Sequence, residues 1–364
     1  MVLSALIPRF MATGIVLLTL STLPSYAQHQ QIAAIDSILT AQTAKDQFSG
    51  AILIADSSGI LLSKGYGWAD RERKVKNTPD TRFSLSSASK VFTGTAITLL
   101  ARQGKLQLSD TVGMYIKDFP GGQRITIHQL LTHSSGVDDF FKAPGFSYKN
   151  IRNCTDMLPF LRQLPLAYPP GDSCAYSTGD CIVLGAIIEK ITGKPFPGYI
   201  QSAFIDKLNL QHTSFTPYWQ LDSTQRQFAI GYRKTPTGYT PLAYNYDQGS
   251  IPLSAGGAWS SVTDLYRFNK AVFSGELTGN DLLRQMTGRH TTQWENTYFG
   301  YTWITSVKKG YHSIGHPGDS SGWHAMNEYY PGRKYMIILL TNFGSVDQYA
   351  LTNIFEEMLF KDAR

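Results

Sequence analysis

Phe83-Ser-Leu-Ser-Ser87-Ala-Ser-Lys90-Val-Phe-Thr93 is the stretch on which the reading of this chain turns. From Ser87 to Arg102 there is no proline, apolar residues recur on a helical period, and Gly104 follows as a helix terminator. The spacing predicts a helix with Ser87 at its start. Residues three apart on a helix share a face, so S-x-x-K places a hydroxyl beside an amine. Such an amine accepts the hydroxyl proton when its surroundings favour the neutral form. The helix N-terminus favours the negative charge that develops on an attacked carbonyl. A second copy, Ser306-Val-Lys-Lys309, closes a predicted strand just before Gly310, where residues three apart do not share a face. Ser87 and Lys90 are therefore the candidate nucleophile and base.

Upstream, an amphipathic helix marked by Ile32, Ile35 and Leu39 leads into Ala51-Ile-Leu-Ile-Ala55, the turn Asp56-Ser-Ser-Gly59 and Ile60-Leu-Leu62, which read as a hairpin of buried strands. Downstream, residues 106–289 read as helix and loop, with aromatic, proline-rich stretches over 140–170 and 232–252 of the kind that line clefts. Strands return over 301–307, 311–315, 323–330 and 335–341. A closing helix turns Leu351, Ile354, Phe355, Met358 and Leu359 inward. The order strands, helices, strands, helix predicts an α+β fold of the α/β sandwich type. Its antiparallel-rich sheet is built from both chain ends and flanked by helices, with a mainly helical region inserted. The expected division is 28–105 plus 290–364 for the sheet and 106–289 for the helical part.

With 42% hydrophobic and 16% charged residues, the 364-residue chain buries a sizeable core, which excludes a disordered or fibrous protein. Arg9, the apolar stretch 11–23 and Ser25-Tyr26-Ala27 predict an export signal over 1–27, cut before Gln28. That stretch is shorter than the ~20 residues a membrane span needs, so a periplasmic or secreted protein without a stable span is expected. Its loss removes one positive charge, Arg9, and lowers the net charge from +6 to +5. With no basic cluster, nucleic acid is excluded as a partner; the oligomeric state stays open. Gly-rich phosphate loops and His-Glu-x-x-His are absent, and Cys154, Cys174 and Cys181 fit no zinc spacing, so neither cofactor nor metal is expected. Three cysteines leave at least one unpaired; Cys174 and Cys181 flank Tyr176 closely enough for a disulfide, and Cys154 is an equally available partner.

Two further segments carry chemistry. Pro170-Gly-Asp-Ser-Cys-Ala-Tyr176-Ser-Thr178 runs into an apolar helix over 181–191, which puts Tyr176 at a loop-to-helix junction where a phenol can reach into a cleft. Gly315-His316-Pro-Gly318-Asp319-Ser-Ser-Gly322 ends a strand with glycines where a substrate backbone can approach closely.

Together with S-x-x-K, these segments resemble the penicillin-recognising serine hydrolases, and within them the class C β-lactamase-like branch that also holds D-alanyl-D-alanine carboxypeptidases, D-amino-acid peptidases and esterases. The resemblance extends to Leu130-Leu-Thr-His-Ser-Ser-Gly136, Leu184-Gly185 and Ala255-Gly-Gly257 with Asp264-Leu-Tyr-Arg-Phe268. It implies a β-lactamase/transpeptidase-like fold, Ser87 as nucleophile, Lys90 as base and Tyr176 as the group that passes a proton to the leaving atom. It further implies an oxyanion hole from the backbone N–H groups of Ser87 and Asp319. His316, Gly318, Thr178 and Tyr148 would line the substrate cleft.

Two departures bear on substrate. Relatives often carry Tyr-x-Asn where this chain has Thr178, which lacks an amide's two donors; the one literal match, Tyr148-Lys-Asn150, lies in the aromatic loop without an apolar helix after it. His316 stands where many relatives have Lys, so its grip on a carboxylate is expected to weaken as pH rises through ~6.5. Gly318-Asp-Ser320-Ser-Gly322 also fits G-x-S-x-G. The α/β-hydrolase fold that uses this motif needs an acid and then a His after the Ser, whereas only His324 follows and no acid lies between; a chymotrypsin-like barrel is contradicted by the helical middle. The expectation is an exported serine hydrolase forming an acyl-enzyme on Ser87, with a small-molecule or peptide acyl substrate and esters turned over better than β-lactams. The alternative is a non-hydrolytic penicillin-binding or sensor protein of the same fold.

Overall fold

The computed structural model describes residues 26–217, 228–242, 252–308 and 310–360. The expected signal lies outside these residues except for Tyr26 and Ala27, which open the first helix, and Lys309 of the second S-x-x-K also lies outside. No helix among the described residues is long and apolar enough to cross a membrane.

Helix α1 (Tyr26–Ala44) precedes the hairpin β1 (Gly50–Asp56) and β2 (Gly59–Tyr66). The sheet resumes with β3 (Thr291–Trp294), β4 (Thr297–Phe299), β5 (Ile304–Lys308), β6 (Tyr311–Gly315), β7 (Gly318–Asp319), β8 (His324–Tyr330) and β9 (Tyr335–Thr341). The order is β2-β1-β9-β8-β6-β5-β4-β3, with β7 paired to β8, and every pair is antiparallel. The two chain ends meet where β1 pairs with β9, with Ala51 facing Leu340 and Leu53 facing Ile338.

Alternate residues of β1 and β9 point to opposite faces, and both faces are covered, which is why these strands read as unbroken apolar runs. Ile52, Ile54, Ile337 and Leu339 pack against Ile35, Leu39, Leu351 and Phe355 of α1 and of α6 (Gln348–Phe360). Ala51, Leu53, Ile338 and Leu340 face α2 (Lys90–Arg102) and α5 (Val262–Phe273). Ile338 is fully buried, so Ile338→Ala is expected to cost about 2–5 kcal/mol. Between the two halves of the sheet lie α3 (Ile127–Leu131), α4 (Thr178–Thr192) and α5, with the small hairpins Trp68–Asp70 with Val75–Lys76 and Tyr232–Thr235 with Gly238–Pro241, which sequence periodicity did not reveal.

Four local differences have identifiable causes. Ser87 stands not on the α-helix but in a 3₁₀ turn, Ser86–Ser89, and the α-helix begins at Lys90. The Lys90 N–H bonds the Ser87 carbonyl, and in a 3₁₀ turn residues three apart eclipse, which brings the two side chains over one another. The strand expected over 301–307 starts at Ile304 because Thr302 is left-handed (φ +58) and bonds Leu131 O and Lys90 O. Helix α4 starts at Thr178 rather than 181 because the Ser177 hydroxyl caps it, accepting from the Asp180 N–H. In α6, Ile354 is 40% exposed; Gln348, Leu351, Thr352, Phe355, Glu356 and Leu359 fill the buried face instead.

Candidate active site

The turn that carries Ser87 is held from both sides. Ser86, left-handed at φ +47, accepts the Gly257 N–H at 3.2 Å, Ala258 N–H donates to Ser89 Oγ at 3.0 Å, and Leu85 N–H donates to Ala258 O at 2.8 Å. Strand β7 presses on the turn from across the cleft: a Cβ on Gly318 would lie 2.0 Å from Leu85 O and 2.9 Å from Ala88 N, so only glycine fits. Lys90, fully buried, donates from Nζ to Ser87 Oγ at 3.1 Å and to the Ala255 carbonyl.

Tyr176 closes the other side. Its ring centre is 5.0 Å from Lys90 Nζ, 6.2 Å from the stacked ring of Phe299, 5.0 Å from His133 and 6.0 Å from His316. Its Oη is buried and has no partner among the described residues. The Tyr176 N–H donates to Gln293 Oε1 at 2.7 Å. His133, quoted above only as part of a resemblance, is the residue that sequence reasoning left without a role. Its Nδ1 lies 3.0 Å from Asp180 Oδ2, and burial followed by the Lys90 charge pulls its imidazole down to about 3. Burial pushes the Asp180 carboxyl well above the ordinary carboxylate range despite the Ser135 hydroxyl that bonds it. The missed signal was an interior His on the turn after α3, whose contact with Tyr176 spans 43 residues.

His316 is 1% exposed, donates from Nδ1 to Pro317 O at 2.6 Å, and leaves Nε2 buried without a partner among the described residues. Burial, then the nearby Lys90 charge, pulls its imidazole down to about 3. The expected change of charge near 6.5 is therefore corrected: His316 is neutral throughout ordinary pH because the same interior that shelters Lys90 excludes a second cation. Asp319 accepts from His324 Nδ1 at 2.8 Å, Gln348 Nε2 at 2.5 Å and Tyr349 Oη at 3.2 Å. The bonds from Gln348 and Tyr349 tie β7 to the N-terminus of α6, and the bond from His324 ties it to β8. Burial raises the Asp319 carboxyl, but the bonds from His324 and Gln348 outweigh it and hold the group below its ordinary range.

Ser87 and Asp319 stand between two lobes of one cleft. The larger, about 520 Å³, is bounded by Tyr176, His316, Trp294, Ser306 and Met326. The smaller, about 330 Å³, is bounded by Phe140, Phe141, Tyr148, Thr178, Ile182 and Ser320. Tyr148 packs among Phe140, Phe141 and Phe146. The Thr178 hydroxyl donates to Asp139 Oδ1 at 2.5 Å. Ser87, Tyr176, His316, Asp319, Thr178 and Tyr148 thus line this cleft, with Lys90 and Gly318 packed behind it, and the two rejected serines, Ser306 and Ser320, line it as well.

No group of His, Cys, Asp and Glu among the described residues could hold a metal ion. The expected Cys174–Cys181 disulfide is corrected: all three cysteines are free thiols. Cys181 is buried in α4, whereas Cys174 turns the other way and donates to Thr291 Oγ1 at 3.3 Å.

Known proteins share this chain's sequence and fold. The chain is 29% identical over 300 residues to PbpX of Bacillus subtilis, covering 81% of this chain and 71% of that one. It is 30% identical over 321 residues to the protein flp of Staphylococcus aureus, covering 85% of this chain but only 63%, under two thirds, of flp. The D-amino acid amidase of Ochrobactrum anthropi shares the fold, with a TM-score of 0.78 and 19% identity over 92% of this chain and 100% of that one. The Beta-lactamase family matches residues 35–357, nearly all of what is described, and the chain belongs to that family.

Proposed function

We propose that the protein is an exported serine hydrolase, acylated at Ser87, whose substrates are small esters with apolar acyl groups. The observation that carries this reading is the buried Lys90 Nζ at 3.1 Å from Ser87 Oγ. Ser87 Oγ attacks the carbonyl carbon as its proton passes to the Lys90 amine. The oxyanion is held by the N–H groups of Ser87 and Asp319, worth about 10²–10³ in rate for each donor. Tyr176 gives its phenolic proton to the leaving oxygen and is reprotonated from Lys90. Water then attacks the acyl carbon by the reverse path and frees Ser87.

Tyr176 borders only the larger lobe, so the leaving group belongs there and the acyl group in the aromatic lobe. Two features favour esters over amides. The Thr178 hydroxyl is already spent on Asp139, and the neutral His316 offers no positive charge to a carboxylate. An activated ester needs neither contact.

One preparation assayed on a p-nitrophenyl ester, a chromogenic cephalosporin and a D-Ala-D-Ala peptide tests the reading. The ester is expected to show the highest kcat/KM. A higher value for the cephalosporin or the peptide overturns the preference. A fluorescent penicillin that stays on Ser87, with no ester product released, would replace turnover by binding alone.

A further inference from the structure

Tyr176 sits in a loop, yet a group that must meet a leaving oxygen at hydrogen-bond distance cannot wander. Its flanks on both sides are tied to one residue. The Ala175 N–H donates to His133 O at 3.0 Å, and the Ser177 N–H donates to His133 Nδ1 at 3.3 Å. The Tyr168 hydroxyl, from the other end of the same loop, also donates to His133 O, at 3.0 Å. Between these ties the imidazole lies against the phenol ring itself, 5.0 Å centre to centre at 48°, while Phe299 meets the imidazole edge at 4.8 Å.

The ring is in turn locked. Asp180, buried in the first turn of α4, has its carboxyl pushed well above the ordinary range by the absence of solvent, which favours an acid O–H that converges with the Ser177 N–H on Nδ1. The imidazole Nε2 finds no partner among the described residues and faces no solvent. His133 also adopts a left-handed backbone (φ +55), a conformation that non-glycine residues take up rarely and that functional turns retain.

We infer that His133 is the positioning residue of Tyr176: it clamps the main chain on both sides of the phenol and walls its ring, holding Oη where it can protonate the leaving group. This rests on the acyl-transfer reading above. His133 touches no substrate, and burial keeps its ring neutral beside the phenol.

A merely structural His133 and a positioning one differ in leaving-group dependence. Loss of folded enzyme lowers all turnover alike, whereas a misplaced proton donor harms poor leaving groups, which need the proton, more than p-nitrophenolate, which does not. The experiment compares kcat/KM for the ethyl and p-nitrophenyl esters of one acyl group. His133→Asn is the variant: Asn tolerates a left-handed backbone and can still meet Ser177 and Asp180, but it removes the ring. The ethyl ester is expected to lose at least about tenfold more than the p-nitrophenyl ester. Added to Tyr176→Phe, the same substitution is expected to leave the ratio unchanged.

An equal loss on both esters overturns the inference, as does a further shift in the Tyr176→Phe background. His133→Gln serves, with the same outcomes, if the Asn variant does not fold. If the unmodified protein hydrolyses neither ester, the functional reading falls and this inference with it. If it hydrolyses both and the ratio does not move, only the inference falls.

Discussion

At the scale of single residues, three of the serines that line the cleft, Ser87, Ser306 and Ser320, fit a catalytic motif, and what separates them is the group behind each. Ser87 Oγ has Lys90 Nζ at 3.1 Å, whereas Ser320 Oγ donates to Trp323 O at 3.2 Å and Ser306 stands on β5. Ser87→Ala is therefore expected to lower kcat at least about 10⁴-fold on every substrate, while Ser320→Ala and Ser306→Ala stay within about tenfold. A folded Ser320→Ala protein without activity would refute this. His316 makes a second prediction, about stability. Below pH ~6.5 the unfolded chain takes up a proton at this residue that the folded chain refuses until about 3. The unfolded state thus binds more protons in that window, and stability falls as pH falls through it. Glu328, pushed up to about 7 mainly by burial, works in the opposite direction, so the comparison must be made between variants. Urea unfolding of His316→Asn between pH 6 and 5 is expected to show a decline shallower than the parent's by about 1.4 kcal/mol per pH unit. Parallel declines would mean that His316 titrates normally in the folded protein.

At the scale of elements, the site is a contact between a strand and a turn. Strand β7 has β8 as its strand partner on one side and the Ser87 turn on the other, and it approaches that turn so closely that Gly318 has no room for a methyl group. Gly318→Ala must move β7, and with it the Asp319 N–H, away from Ser87. A loss of about 10² in kcat with the far-ultraviolet dichroism unchanged is expected. Activity within about threefold of the parent would show that the Asp319 amide does not hold the oxyanion. Helix α2 meets the sheet just as closely. A Cβ on Gly94 would lie 2.1 Å from Tyr301 O, which explains a glycine in the middle of a buried helix.

At the scale of the whole molecule, the cleft lies where the sheet made of both chain ends meets the inserted helices. The aromatic side chains of the smaller lobe come from the insert; Trp294, His316 and Asp319 of the larger lobe come from the sheet and its edges. If the acyl group occupies the aromatic lobe, kcat/KM should climb with acyl length by about fourfold per methylene from acetate to butyrate, the equivalent of ~0.8 kcal/mol per buried CH₂. Phe141→Ala should flatten that climb, since Phe141 is both a wall of the lobe and 58% exposed, hence removable without a core cavity. A climb unaffected by Phe141→Ala would place the acyl group elsewhere.

What the sequence determined by itself is what depends on short range. The 3.6-residue and two-residue periods located Tyr311–Gly315 and Tyr335–Thr341 to the residue, because a strand's apolar run is a local property once both faces are covered. Ser87 and Lys90 were legible as a pair because one turn of helix joins them, and the resemblance to a family brought in Tyr176 and His316. Tertiary structure alone decided the rest. The His133 ties to Ala175 and Ser177, the Thr178 bond to Asp139 and the anchoring of Asp319 on α6 join segments far apart in the chain, with no period to announce them. The neutrality of His316 is likewise a matter of burial beside Lys90. Solvent exclusion belongs to the assembled interior rather than to any stretch of sequence, so a histidine that reads as a switch near 6.5 becomes a fixed neutral wall once the chain closes around it.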